Sequence, residues 1–186
     1  MRKLIYTINH TVDGCLDHTA FMPDEGLFDY YIRLVQDAGL IVYGRITYEL
    51  MVPYWPDILK NPAGETKADV EYARAFVAAQ KVVFSRTLKS VEDENTRISS
   101  LSLKEEILKL KEEDGKDILV GGVDIPSQLT ELGLIDEYLF IVMPIFAGKG
   151  RRFLDDVILK EKIRLRLLDS KTFESGSIAL RYQKQG

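Results

Sequence analysis

The chain has 186 residues, 46% hydrophobic and 29% charged, with a formal net charge of -4, which describes one folded domain and excludes disorder. At this length a fold hides roughly 70% of the surface its unfolded chain exposes, so the core needs neither disulfides nor a structural metal. The mild acidity offers no basic field to a nucleic acid, and no apolar run reaches the roughly 20 residues of a membrane span. The start has no signal-peptide pattern, and the lone Cys15 points to a reducing, cytoplasmic setting.

Residues 4–8 read as a strand feeding a loop at Asp13-Gly14, where glycine accepts the positive φ of a turn. Over residues 23–38, Leu27, Tyr30, Tyr31, Leu34 and Val35 recur at steps of three and four, the stripe of an amphipathic helix closed by Gly39. A buried strand over 40–43 runs into Gly44-Arg45 and the start of another helix. Pro53, Pro56 and Pro62 predict a loop over 52–64. Thr66 with Asp69, and Ser102 with Glu105, have capping-box spacing; each opens a helix, with stripes Val70, Ala73, Val77 and Leu103, Ile107, Leu110.

Strands are expected at 81–84, 118–120 and 137–143, with a helix carrying Ile125, Leu129 and Leu132 between the last two. Near the end the period becomes two. Ile163, Leu165 and Leu167 alternate with polar neighbours, as do Ile178, Leu180 and Tyr182 after Ser175-Gly176-Ser177, which predicts an antiparallel hairpin. The expected architecture is a single three-layer α/β domain over residues 1–186: a mixed, mostly parallel sheet with helices on both faces and the hairpin at one edge.

Three strand ends share one arrangement. Gly44-Arg45-Ile46-Thr47, Ser85-Arg86-Thr87 and Gly121-Gly122-Val123-Asp124 each put small or hydroxylated residues where a segment with free backbone donors begins. In open α/β sheets the crevice at the carboxyl ends of the strands takes ligands, and helix N-termini there stabilise phosphate. Each junction alone is also an ordinary turn, so the signal lies in the three together.

Together, and in this order, the junctions resemble the dihydrofolate-reductase-like family, most closely the C-terminal reductase domain of the bifunctional riboflavin-biosynthesis deaminase-reductase. The resemblance covers nearly the whole chain: residues 7–17 with Asp13-Gly14, the blocks 42–49 and 81–88, and Gly121-Gly122. The riboflavin branch is carried by Leu132-Gly133-Leu134-Ile135-Asp136-Glu137 and, most specifically, by Pro144-Ile145-Phe146-Ala147-Gly148-Lys149-Gly150 with Phe153.

The resemblance implies a homodimeric, NADPH-dependent reductase similar to 5-amino-6-(5-phosphoribosylamino)uracil reductase, transferring hydride to a small heterocycle or ribosylaminopyrimidine. Two alternatives stay open: a dihydrofolate or pterin reductase, and a non-catalytic nucleotide- or drug-binding protein on the same fold. It further implies that Gly44, Arg45 and Thr47 lie beside the cofactor phosphates, that Ser85 and Arg86 hold the adenosine 2′-phosphate side, that Gly121 and Gly122 close on the pyrophosphate, and that Thr87 and Val123 also bind the cofactor. Asp124 departs from the pattern, because a carboxylate suits a helix start but repels a pyrophosphate.

No catalytic acid is identified. Dihydrofolate reductases place one at the start of the helix before the Gly-Arg block. An ungapped count back from Gly44 lands on Phe28, with Asp24, Glu25 and Asp29 beside it, each equally suited to a first helical turn. The departure argues against dihydrofolate as substrate. Asp13 and Asp17 can reach the nicotinamide side from the first loop or be solvated loop acids, and Tyr48 can line the substrate pocket or pack in the core. Lys149, Arg151 and Arg152 can meet a substrate phosphate or form a solvated turn. His10, Cys15 and His18 lack a fourth ligand for zinc, and neither the zinc-deaminase pattern nor a Walker A sequence occurs.

Overall fold

The computed structural model describes residues 1–16 and 23–185, so Asp17 and His18 lie outside the described residues. The elements run β1 (Leu4–Thr11), α1 (Glu25–Asp37), β2 (Leu40–Gly44), α2 (Arg45–Lys60), α3 (Lys67–Ala78), β3 (Lys81–Phe84), β4 (Thr96–Ile98), α4 (Leu103–Glu112), β5 (Ile118–Val120), α5 (Asp124–Glu131), β6 (Glu137–Met143), β7 (Leu165–Thr172) and β8 (Ile178–Lys184). They form one eight-stranded sheet in the order β4-β3-β2-β5-β1-β6-β8-β7. The first six strands pair in parallel, and β8 joins β6 antiparallel and carries β7 to the edge. This is the mixed, mostly parallel sheet with a terminal hairpin that the sequence predicts.

Because successive side chains of a strand point to opposite faces, the core divides into two layers. Ile5, Ile41, Tyr43, Val83, Leu119 and Leu139 meet α1, α2 and α3 through Leu27, Val35, Val52 and Phe76. Leu4, Tyr6, Val42, Val82, Ile118 and Val120 meet α4 and α5 through Ile107, Leu110 and Leu129. Among the described residues no helix is long and apolar enough to cross a membrane.

Two features differ from the sequence reading. The prolines predict a loop over 52–64, whereas α2 continues through Pro53 and Pro56 to Lys60. Each proline removes an amide and crowds the carbonyl four residues back. Val52 and Ile58 are nevertheless buried, and Trp55 packs its ring 4.4 Å from Tyr72 of α3, so burial along the helix outweighs the local cost. β4 has no counterpart in the sequence reading. Three residues are too few to show a period, and only pairing with β3 defines the strand. A smaller difference is Leu132, which caps the end of α5 and is exposed instead of completing its buried stripe.

The capping boxes of α3 and α4 form as their spacing predicts, with Thr66 and Asp69, and Ser102 and Glu105, each exchanging hydrogen bonds. α1 is capped by Asp24, whose carboxylate accepts from the Leu27 amide at 2.7 Å and, across the fold, from the Ser175 amide at 2.6 Å. That ties the start of α1 to the turn of the hairpin. Burial opposes the charge on Asp24, but the bonds from Ser175, Leu27 and Gly26 outweigh it and hold its pKa below the ordinary value. The folded state then binds this proton less tightly than the unfolded chain, so the contribution is complete above about pH 4 and is lost as pH falls through the folded pKa. Asp24→Ala is expected to cost about 1 kcal/mol in urea unfolding at neutral pH. The gap between wild type and variant should close on acidification below about pH 4; a gap that persists there shows that the carboxylate charge is not what Asp24 contributes.

Candidate functional site

β3, β2 and β5 are neighbours, and pairing sets Gly44 beside Phe84 and Val42 beside Val120, so the three strands end nearly level. The segments leaving them enclose a cleft of about 350 Å³. Its wall includes Gly44, Arg45, Thr47, Ser85, Arg86, Thr87, Gly121 and Val123, so the three junctions singled out in the sequence do converge. Ile46, Phe84, Asp124, Ile125 and Arg151 complete it.

α2 opens at Arg45 after Gly44, and α5 opens at Asp124 after Val123; neither cap residue supplies a side-chain acceptor. The other three helices are capped by Asp24, Thr66 and Ser102. Among the described residues, the helices that open onto the cleft are therefore the two without a side-chain cap. Their donors and the positive ends of their dipoles make the cleft a place for an anion.

The exit of β5 brings α5 to this position. A Cβ on Gly121 would stand 2.8 Å from Cε1 of Tyr43, and one on Gly122, whose φ is +90, would stand 2.4 Å from Oγ1 of Thr47. The Tyr6 hydroxyl donates to the Gly122 carbonyl at 3.1 Å. The family resemblance ties these glycines to cofactor approach. In the structure the space a Cβ would take is filled by the protein's own Tyr43 and Thr47.

The charges of the cleft are arranged unequally. Arg45 donates to Glu49 one turn along α2 at 2.6 Å. Ser85 Oγ accepts from the amides of Thr87 and Leu88 at 3.1 and 2.8 Å, fixing the turn that carries Arg86. Arg86 is exposed and makes no ion pair among the described residues. Asp124 accepts from Nη2 of Arg151 at 2.6 Å, and the same nitrogen donates to Asp156 at 2.6 Å. The carboxylate that stood out in the sequence is thus paired with an arginine brought from the loop after β6.

The remaining candidates lie elsewhere. Asp13 accepts from Thr11 Oγ1 and from the amides of Ala147 and Gly148 at 3.2 and 2.8 Å, and these bonds, Thr11 foremost, hold its pKa down at about 2. It clamps the loop after β6 and is not part of the cleft wall. Tyr48 is buried among α1, α2 and α3. Phe28 packs edge-on against Tyr31 and Tyr72, Asp24 is committed to its cap, and Glu25 and Asp29 are exposed. The basic run divides: Arg151 joins the cleft, whereas Arg152 donates through Nε to the Asp13 carbonyl at 3.1 Å. Among the described residues no three His, Cys, Asp or Glu side chains gather as metal ligands. The pairing of Arg151 with Asp124, 27 positions away, left no local pattern by which the sequence could show it.

Residues 2–179 match the profile of the RibD C-terminal domain. The chain belongs to the RibD C-terminal domain family. YyaP of Bacillus subtilis (strain 168) is 31% identical over 193 residues, spanning 100% of this chain and 96% of YyaP. A protein of Shewanella sp. PV-4 assigned to riboflavin biosynthesis superposes with a TM-score of 0.72 at 16% identity, covering 99% of both chains. The diaminohydroxyphosphoribosylaminopyrimidine deaminase/5-amino-6-(5-phosphoribosylamino)uracil reductase of Thermotoga maritima superposes with a TM-score of 0.68 at 15% identity, covering 99% of this chain and 57% of that one. The RibD C-terminal domain family is a family of reductases, and the dihydrofolate-reductase-like fold expected from the sequence is the one observed.

Gly122→Ala is expected to destabilise the chain by about 1–3 kcal/mol in urea titration, because backbone conformation and space both oppose a Cβ. Adding Thr47→Ala removes the obstructing oxygen and should recover part of that loss. A double variant no more stable than the single one would place the whole cost in the backbone.

Proposed function

We propose that this RibD-type domain is an NADPH-dependent reductase that transfers hydride to a ribosylaminopyrimidine or a similar small heterocycle. The observation that carries the reading is the convergence of two uncapped helix starts and three arginines on one cleft. The residues fit the phosphates of the cofactor. The first amides of α2 and α5 suit a pyrophosphate, and Asp124 meets it already paired with Arg151. Arg86, exposed on a turn pinned by Ser85, suits the 2′-phosphate, since a guanidinium fork matches a phosphate monoester. When bound, NADPH supplies the hydride; the chain binds and orients it.

Two observations weigh against a dihydrofolate-type reaction. An ungapped count puts Phe28 near the place of the acid, and the carboxylate of Asp24 is engaged by two backbone amides. Removing a positioned general acid typically costs about 10²- to 10⁴-fold in rate. A ribosylaminopyrimidine asks less of that position, because its open-chain imine or carbonyl can take a proton from water.

In equilibrium titrations NADPH should bind more tightly than NADH, and Arg86→Ala should weaken NADPH about 10- to 100-fold, the worth of a charge-assisted bond. Following NADPH absorbance, a ribosylaminopyrimidine should be turned over faster than dihydrofolate. Equal affinity for the two nucleotides removes the cofactor assignment; efficient dihydrofolate reduction makes the pterin reading the better one; binding without any turnover leaves a nucleotide-binding protein.

We propose in addition that the chain pairs with a second copy through β7. All eight residues of this edge strand are exposed, including Leu167 at 51% and Leu168 at 41%, and among the described residues no strand neighbours its outer side. An exposed edge of this length carrying three leucines invites association unless it is covered. Sedimentation equilibrium at tens of micromolar should report a dimer that Leu167→Lys converts to monomer. A wild-type monomer at that concentration contradicts the pairing.

A further inference from the structure

We propose that Arg151 is a pyrophosphate-binding residue of the cleft, delivered by the loop after β6 and aimed by Asp124 and Asp156. This rests on the cofactor reading above and assigns a group within the same site.

A guanidinium carries five N–H donors on three nitrogens. Both bonds from Arg151 to the aspartates leave from one of them, Nη2, each at 2.6 Å, so the two hydrogens of that nitrogen are spent. Nη1 and Nε make no hydrogen bond among the described residues, although the side chain forms part of the cleft wall beside Val123 and Asp124. Two carboxylates therefore fix the plane of the fork through one corner and leave its other edge for a ligand.

The backbone beneath Arg151 is held as well. Its carbonyl accepts from the Leu16 amide at 2.8 Å, and the Asp13 carboxylate grips Ala147 and Gly148 on one side. On the other side Phe153 packs 4.6 Å from the ring of Tyr6, the same Tyr6 whose hydroxyl holds the Gly122 carbonyl. Arg151 and the start of α5 are thus positioned by one connected set of contacts. An arginine restrained before the ligand arrives loses less freedom on binding than one that must be collected from solvent.

Asp156 provides a test whose sign is informative. It is exposed and stands outside the cleft wall, and Asp156→Ala removes a negative charge from the neighbourhood. Through the field alone this change must tighten an anion; through loss of aim it must weaken one. Nicotinamide fluorescence titrations with NADPH and with NADH read both effects without turnover. Arg151→Ala should weaken the two nucleotides by the same factor, about 10- to 100-fold, because both carry the pyrophosphate. Arg151→Lys should lie between, retaining the charge without the fork. Asp156→Ala should weaken both about 2- to 10-fold. Arg86→Ala should discriminate against NADPH alone, which separates the two arginines. Unchanged affinity in Arg151→Ala, or tighter binding in Asp156→Ala, overturns the assignment and leaves the cofactor reading standing. A wild type that binds neither nucleotide overturns both. If Arg151→Ala does not melt like wild type, the Lys and Asp156→Ala arms decide.

Discussion

The cleft depends on how closely the end of β5 lies against β2 and α2. Gly121 runs across the ring of Tyr43 and Gly122 rests on the hydroxyl of Thr47, and neither contact leaves room for a Cβ. That approach brings the start of α5 beside the start of α2, with Ile125 packed against Gly44. Two helix N-termini that would otherwise be separate surface features become walls of one cleft. Tyr6 completes the arrangement from β1, since its hydroxyl takes up the Gly122 carbonyl that the turn exposes.

The loop after β6 connects this cleft to the rest of the molecule. At one end it is clamped by Asp13, which belongs to the turn following β1; at the other it delivers Arg151 to Asp124. Exposed ion pairs of this kind contribute about 0–1 kcal/mol to stability, too little to explain them as struts of the fold. Their consequence is arrangement: Arg45 is drawn along α2 toward Glu49 and Arg151 is fixed across α5, while Arg86, alone of the three cleft arginines, makes no ion pair among the described residues. A cleft with two restrained arginines and one unpaired one suits a ligand whose phosphates differ in charge and position.

The C-terminal hairpin plays a complementary part at the far side of the sheet. β8 covers β6, and the turn before it receives the second oxygen of Asp24, so one carboxylate both caps α1 and fastens the hairpin. This double engagement commits Asp24 to the fold, while Glu25 and Asp29 beside it stay exposed. Among the described residues β7 has no partner strand on its outer side.

The sequence alone determined whatever rests on short-range chemistry. The capping boxes at Thr66 and Ser102, the strands at 81–84, 118–120 and 137–143, the alternating tail and the three strand-end junctions were legible because each needs only residues a few positions apart. Only the tertiary structure decided the course of α2 through Pro53 and Pro56, since the burial that offsets two missing amides comes from α3. It also decided the existence of β4, the commitment of Asp13 to Ala147 and Gly148, and the pairing of Asp124 with Arg151. In each of these the deciding partner lies well outside any local window, and a local pattern carries no trace of an energy that arises only when distant segments meet.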